Sequence, residues 1–92
     1  MKIRWTALAI SDFIHICDYS AGEFGEARSR RTAFQIYEAV DRLASFPHIG
    51  HAGRKPGTSE LVIKGLPFVA VFRLNVDTIE ILRILHGAQK WP

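Results

Sequence analysis

Cysteine is nearly absent, since Cys17 is the only one in 92 residues. No intrachain disulfide can form, and a reducing compartment fits. Long apolar runs are missing too. None approaches the roughly 20 residues needed to span a bilayer. The opening Met-Lys-Ile-Arg-Trp turns amphipathic without the apolar core of a secretory leader. A cytoplasmic location with no membrane partner is therefore expected. There is no repeat, no low-complexity tract and no linker, so residues 1–92 are expected to form a single domain. Acidic residues are in deficit, nine against twelve Lys and Arg, giving a net charge of +3 and a pI near 9.4. That balance suits an acidic partner, either nucleic acid or an acidic protein segment.

What is present is an ordinary globular balance of 48% apolar and 23% charged residues. Lys2–Trp5 reads as a short strand and Thr6 as an N-cap. Ile10, Phe13, Ile14 and Cys17 fall on one face of a helix that Gly22 can end. A second helix is expected from about Glu23 to Phe46, with an inner stripe of Ala33, Ile36, Tyr37, Val40, Leu43 and Ala44. Its other side carries Arg28, Arg30, Arg31, Glu38 and Arg42. The stretch from Pro47 to Gly57 holds three glycines and two prolines and reads as a loop. Three strands follow, at Ser59–Lys64, Phe68–Asn75 and Thr78–His86. The order β-α-α-β-β-β describes an α+β fold, an N-terminal strand and an antiparallel helical hairpin packed on an antiparallel meander.

The turns fix a register. Two-residue loops at Gly65-Leu66 and Val76-Asp77 pair Ile63 with Phe68 and Arg73 with Glu80. One face then holds Leu61, Ile63, Phe68, Ala70, Phe72, Leu74, Ile79, Ile81, Arg83 and Leu85, and should receive the helices. The other holds Glu60, Val62, Val69, Val71, Arg73, Glu80, Leu82, Ile84 and His86, and should face a cleft or a partner.

Several stretches resemble the RelE/ParE toxins: Leu43-Ala-Ser-Phe-Pro-His-Ile-Gly, Gly53-Arg54, Gly57-Thr-Ser-Glu-Leu-Val-Ile-Lys-Gly-Leu-Pro-Phe, Val71-Phe-Arg and the ending Ile81-Leu-Arg-Ile-Leu-His-Gly. Trp5-Thr6, Ala9 and Asp12 match the family's first helix. The resemblance covers essentially the whole chain. It implies the toxin of a type II toxin–antitoxin (plasmid stabilisation) module, neutralised by a cognate antitoxin. The basic chain would suit an acidic antitoxin segment. It leaves two mechanisms open. ParE-like members inhibit DNA gyrase by binding. RelE-like members are ribosome-dependent mRNA endoribonucleases.

RNA cleavage needs a base, a proton donor and cations for the phosphorane charge. His86 ends the last strand, where several nuclease members carry a histidine, and Arg73, Arg54 and Lys55 could complete a site. The set is thin. Val69 stands where nucleases have an arginine, Gly87 where some have an aromatic, and Lys64 alone remains of a lysine-rich strand. Each residue also has a structural reading. Arg73 can pair with Glu80 and Glu60, and His86 can be a hydrogen-bonded histidine at a strand end. Arg54, Lys55, Lys64, Arg83, Arg28 and Arg31 are candidate contacts for nucleic acid or a partner, or solvated charges. Arg83 could anchor an antitoxin carboxylate. The gyrase reading is preferred on this shortage. His48 and His51 have ligand-like spacing, but zinc sites need three or four ligands, so no metal or cofactor is expected. Cys17 reads as a buried, inert thiol. Trp5 and Trp91 are expected to pack, and the closing Trp91-Pro92 to fray.

Overall fold

The computed structural model describes residues 1–87 and 89–91. Strand β1 (Lys2–Trp5) leads straight into helix α1 (Ala7–Phe24). Thr6 caps that helix, its Oγ1 accepting from the Ala9 N–H at 3.2 Å. Its own N–H and hydroxyl donate to the carbonyls of Ile81 and Leu82. Gly25 separates the helices at φ +90, and its N–H donates to the Ala21 carbonyl. Helix α2 (Glu26–Asp41) follows and ends in a 3-10 turn over Arg42–Ala44. The helix break is thus at Gly25 and not at Gly22, which lies within α1. Only the later glycine adopts the left-handed backbone that stops a helix. Gly25→Ala should therefore cost about 1 kcal/mol in urea unfolding, while Gly22→Ala should be neutral or stabilising.

The α1 stripe is corrected as well. Ala9, Phe13, Ile16 and Ser20 turn inward, whereas Ile10 and Ile14 are 45% and 51% exposed. The buried face is rotated by one residue, about 100°. Two overlapping apolar stripes share the helical period, and the smaller Ala9 allows close approach to the sheet. On α2, Ser29, Thr32, Ile36 and Val40 are buried, and Tyr37 is exposed.

The sheet has five strands in the order β1-β5-β4-β3-β2. Strand β2 (His51–Ala52) lies inside the stretch read as loop and pairs with β3 (Ser59–Val62). Gly53 permits this tight return, since a Cβ there would sit 2.2 Å from Thr58 Oγ1. Strands β3, β4 (Phe68–Leu74) and β5 (Thr78–His86) form the antiparallel meander, and β1 runs parallel to β5. The expected pairing holds for Ile63 with Phe68, for Leu61 with Ala70 and for Arg73 with Glu80.

Beyond Phe72–Ile81 the register shifts. Val71 pairs with Arg83, so Leu82 is bulged out of the ladder. Every later residue of β5 changes face. Ile84 joins Ala70 in the core beneath the helices, with Ile36, Val40, Leu43, Ile63, Phe72, Ile79 and Ile81. Leu85 and Arg83 move to the opposite face, and His86 comes to the helix side beside Phe68.

Candidate functional site

The sheet face away from the helices carries a second apolar cluster of Val69, Val71 and Leu85, covered by Leu82 and Trp91. Trp91 therefore packs and does not fray, and Pro92 lies outside the described residues. Trp5 packs at a tilt against Phe13, 5.5 Å between ring centroids, in the helix-side core, so the two tryptophans belong to separate clusters. The Trp91 Nε1 is buried without a hydrogen-bond partner among the described residues.

Cations ring this cluster, and most are held by carboxylates of the chain itself. Arg54 binds Glu60 through its backbone N–H at 3.0 Å, its Nε at 3.1 Å and its Nη2 at 3.3 Å. Its Nη1 donates to the Gln89 carbonyl at 2.9 Å. Glu60 is only 4% exposed because Arg54 lies over it. Burial alone would push its carboxyl up. The hydrogen bonds and charge of Arg54, with a smaller contribution from His51, outweigh that and hold it below the usual carboxylate range.

Arg83 binds Asp12 of α1 with two hydrogen bonds, of 2.7 and 3.0 Å. Asp12 Oδ2 also accepts from the Ile84 N–H at 2.9 Å. Glu80 is shared by Arg4, by Asn75 Nδ2 at 3.2 Å and by Arg73 at 3.8 Å. Lys55 and Arg83 stand about 6 Å from the Trp91 ring, at 6.0 and 5.9 Å from its centroid. A shallow groove of about 380 Å³ runs between Lys55, Arg73, Arg83, Leu8, Leu82 and Trp91.

A larger groove of about 630 Å³ opens on the helix side, between the helical hairpin and the β3–β4 turn. His15, Tyr19, Phe24, Arg28, Phe68 and His86 line it, and among the described residues no carboxylate does. Arg28 sits 4.8 Å above the Phe24 ring. His86 makes an edge contact with Phe68. The proposed nuclease set is thus divided by the sheet. His86 faces the hairpin, while Arg54, Lys55 and Arg73 belong to the opposite side.

This fold has counterparts. A family model described as "ParE toxin of type II toxin-antitoxin system, parDE" matches residues 3–91. The chain belongs to the ParE toxin family. The Sinorhizobium fredii protein called "Putative toxin Y4kP" is 37% identical over 91 residues, spanning 99% of this chain and 93% of that protein. A chain of the chromosomal ParDE toxin–antitoxin system of P. aeruginosa superposes with a TM-score of 0.86 at 30% identity, covering 94% of this chain and 95% of that one. A chain of the RelBE2 toxin–antitoxin complex of Mycobacterium tuberculosis shares the fold, with a TM-score of 0.67 at 20% identity over 92% and 95% of the two chains.

In this ParE-family toxin, Arg73 does pair with Glu80, as the sheet register required. Glu60 does not reach Arg73 and belongs to Arg54 instead. Arg83 leaves the core face for the margin, and its carboxylate partner there is the chain's own Asp12. Lys64 lies in a third groove with Gln35, Glu38 and Arg42. Arg31 is exposed on α2, and His51 is built into β2. Among the described residues, no group of three or more His, Cys, Asp or Glu could hold a metal ion. Burial, and then the neighbouring Asp18, push the Cys17 thiol up, away from thiolate chemistry. The sequence reading missed the role of Asp12. Its signals were an acidic residue beside the apolar stripe of α1 and its place in the Trp5-Thr6, Ala9, Asp12 resemblance to the family's first helix.

Proposed function

We propose that this toxin acts in the cytoplasm by binding DNA gyrase and not by cutting RNA. One observation supports the reading most directly. Two of the three cations in the candidate nuclease set are engaged by internal carboxylates, Arg54 by Glu60 and Arg73 by Glu80, while His86 faces the opposite side of the sheet. A phosphorane needs mobile cations and an acid/base group converging within hydrogen-bond reach of one phosphate. This arrangement offers a preformed binding surface instead. Lys55 beside Trp91 is an exposed cation suited to an acidic target surface. The cognate antitoxin would place an acidic amphipathic segment in the 630 Å³ groove, its apolar side chains on Tyr19, Phe24 and Phe68 and a carboxylate on Arg28.

The test is a pair of assays on the purified chain. Gyrase supercoiling should be inhibited, and His86→Ala should inhibit within about twofold of the parent, since no proton transfer is involved. Messenger RNA on translating ribosomes should stay intact. Codon-specific cleavage abolished by His86→Ala would replace the gyrase reading with the RelE-like endoribonuclease one.

A further inference from the structure

The outer face of the helical hairpin has no role in either surface described so far. On α2, the residues opposite the buried Ser29, Thr32, Ile36 and Val40 are Ala27, Arg31, Phe34, Glu38 and Asp41. Phe34 is 61% exposed and the adjacent Tyr37 55%. Ser29 Oγ donates to the Cys17 carbonyl at 2.7 Å and fixes the stagger of the two helices. Counting along both helices from that bond brings Ile14 and Ile10 of α1 level with Phe34 and Tyr37. Four exposed apolar side chains therefore form one patch across the helix seam.

The charges around the patch are polarised. Arg30 and Arg31 lie one turn before Phe34, and Glu38 and Asp41 one and two turns after it. Among the described residues none of the four makes an ion pair within the chain. The last turn of α2 holds no basic residue. Glu26 stands in the first turn and Arg42 at the C-cap, and the macrodipole acts on the terminal turns, so it does not account for Arg30 and Arg31 preceding Glu38 within the helix. An antiparallel copy of the same helix reverses the order of charges. With Phe34 on the two-fold axis, Arg30 of one copy meets Glu38 of the other, twice over, with Arg31 one residue further in and Asp41 within one turn of the facing Arg30.

We propose that this face is a self-association surface through which two copies of the chain pair across a two-fold axis, α2 antiparallel to α2. A face as long as α2, about 24 Å, and two helices wide covers on the order of 500 Å² per copy. That total lies near the lower limit for specific interfaces, so the dimer is reversible. It leaves the groove around Arg28 and the Trp91 face open. The proposal does not depend on the gyrase reading, because association is measured without any target.

Sedimentation equilibrium of the purified full chain should show a concentration-dependent dimer. Phe34→Glu places two like charges on the axis and should raise the dissociation constant at least about 30-fold, the effect expected for a central anchor. Two charge variants make the sharper test. Arg30→Glu with Arg31→Glu gives an all-acidic face, and Glu38→Arg with Asp41→Arg an all-basic one. Each should be monomeric alone, and an equimolar mixture should form a heterodimer. Circular dichroism checks folding, and if Phe34→Glu does not fold, the mixing experiment decides, because it keeps Phe34. A parent chain monomeric at about 200 µM, weaker than the range of functional dimers, would overturn the proposal. So would a dimer that survives Phe34→Glu, or charge variants that remain monomeric when mixed.

Discussion

Asp12→Ala should be among the most destabilising single changes in this chain, lowering unfolding free energy by about 3 kcal/mol. The side chain does three things at once. It holds Arg83 with two hydrogen bonds and accepts from the Ile84 N–H. Strand β1 covers the outer edge of β5 only as far as Ile81. Past that point α1 is the neighbour of β5, and Asp12 supplies the acceptor that another strand would have supplied. Truncation leaves a part-buried backbone donor unsatisfied and a guanidinium without its carboxylate. In a chain of this size about 3 kcal/mol corresponds to a melting point lower by on the order of 15 °C. Asp12→Asn keeps an acceptor for Ile84 and loses the charge, so it should cost about half as much. Urea unfolding of both variants is the check. A loss below about 1 kcal/mol for Asp12→Ala, or equal losses for the two, would contradict this account.

Arg54→Met is the second large effect, at about 2 kcal/mol near neutral pH. Breaking a deeply buried pair costs more, but Arg54 is itself the cover over Glu60, and water reaches the carboxylate once it is gone. The pH dependence identifies the cause. With Arg54 present, the folded Glu60 carboxyl lies below its ordinary value. Its contribution is therefore complete above the ordinary carboxylate range and is lost as pH falls through the lowered folded value. Without Arg54, the hydrogen bonds and charge that hold the carboxyl down are gone, so its folded value moves back toward the ordinary one. The stability gap between parent and variant should thus narrow as pH is lowered through and below the carboxylate range. A gap of constant size from pH 7 to pH 3 would show that Arg54 contributes through packing and not through charge.

These two ion pairs also bear on function. Both draw cations away from a potential RNA site and use them to fix α1 and the Gly53 loop to the sheet. Arg54, a catalytic candidate in the sequence, holds the Gly53 loop to the sheet, and Arg83, a candidate partner contact, holds α1. Lys55 is different, since its described contact is with the Trp91 ring. It remains the cation on that face best placed to meet an outside anion.

Much of this molecule was legible in its sequence. The start of β4, both ends of β5, the Arg73–Glu80 pair and the N-cap at Thr6 follow from local alternation and turn chemistry, which need no distant partner. The family resemblance rests on motifs distributed along the chain. Three features were settled only by tertiary structure. The face that α1 buries depends on which of two apolar stripes meets the sheet, and Ala9 and Asp12 decide it through contacts some 70 residues away. The short strand at His51–Ala52 exists because Glu60 and Ser59 offer it a partner. The bulge at Leu82 inserts one residue into a ladder of period two. That single step carries His86 to the helices and Arg83 to the margin, because strand alternation passes every shift on to all later residues. Sequence alone therefore determined the elements, their order and the family. The grouping of the candidate site residues was decided by one irregular pairing between two strands.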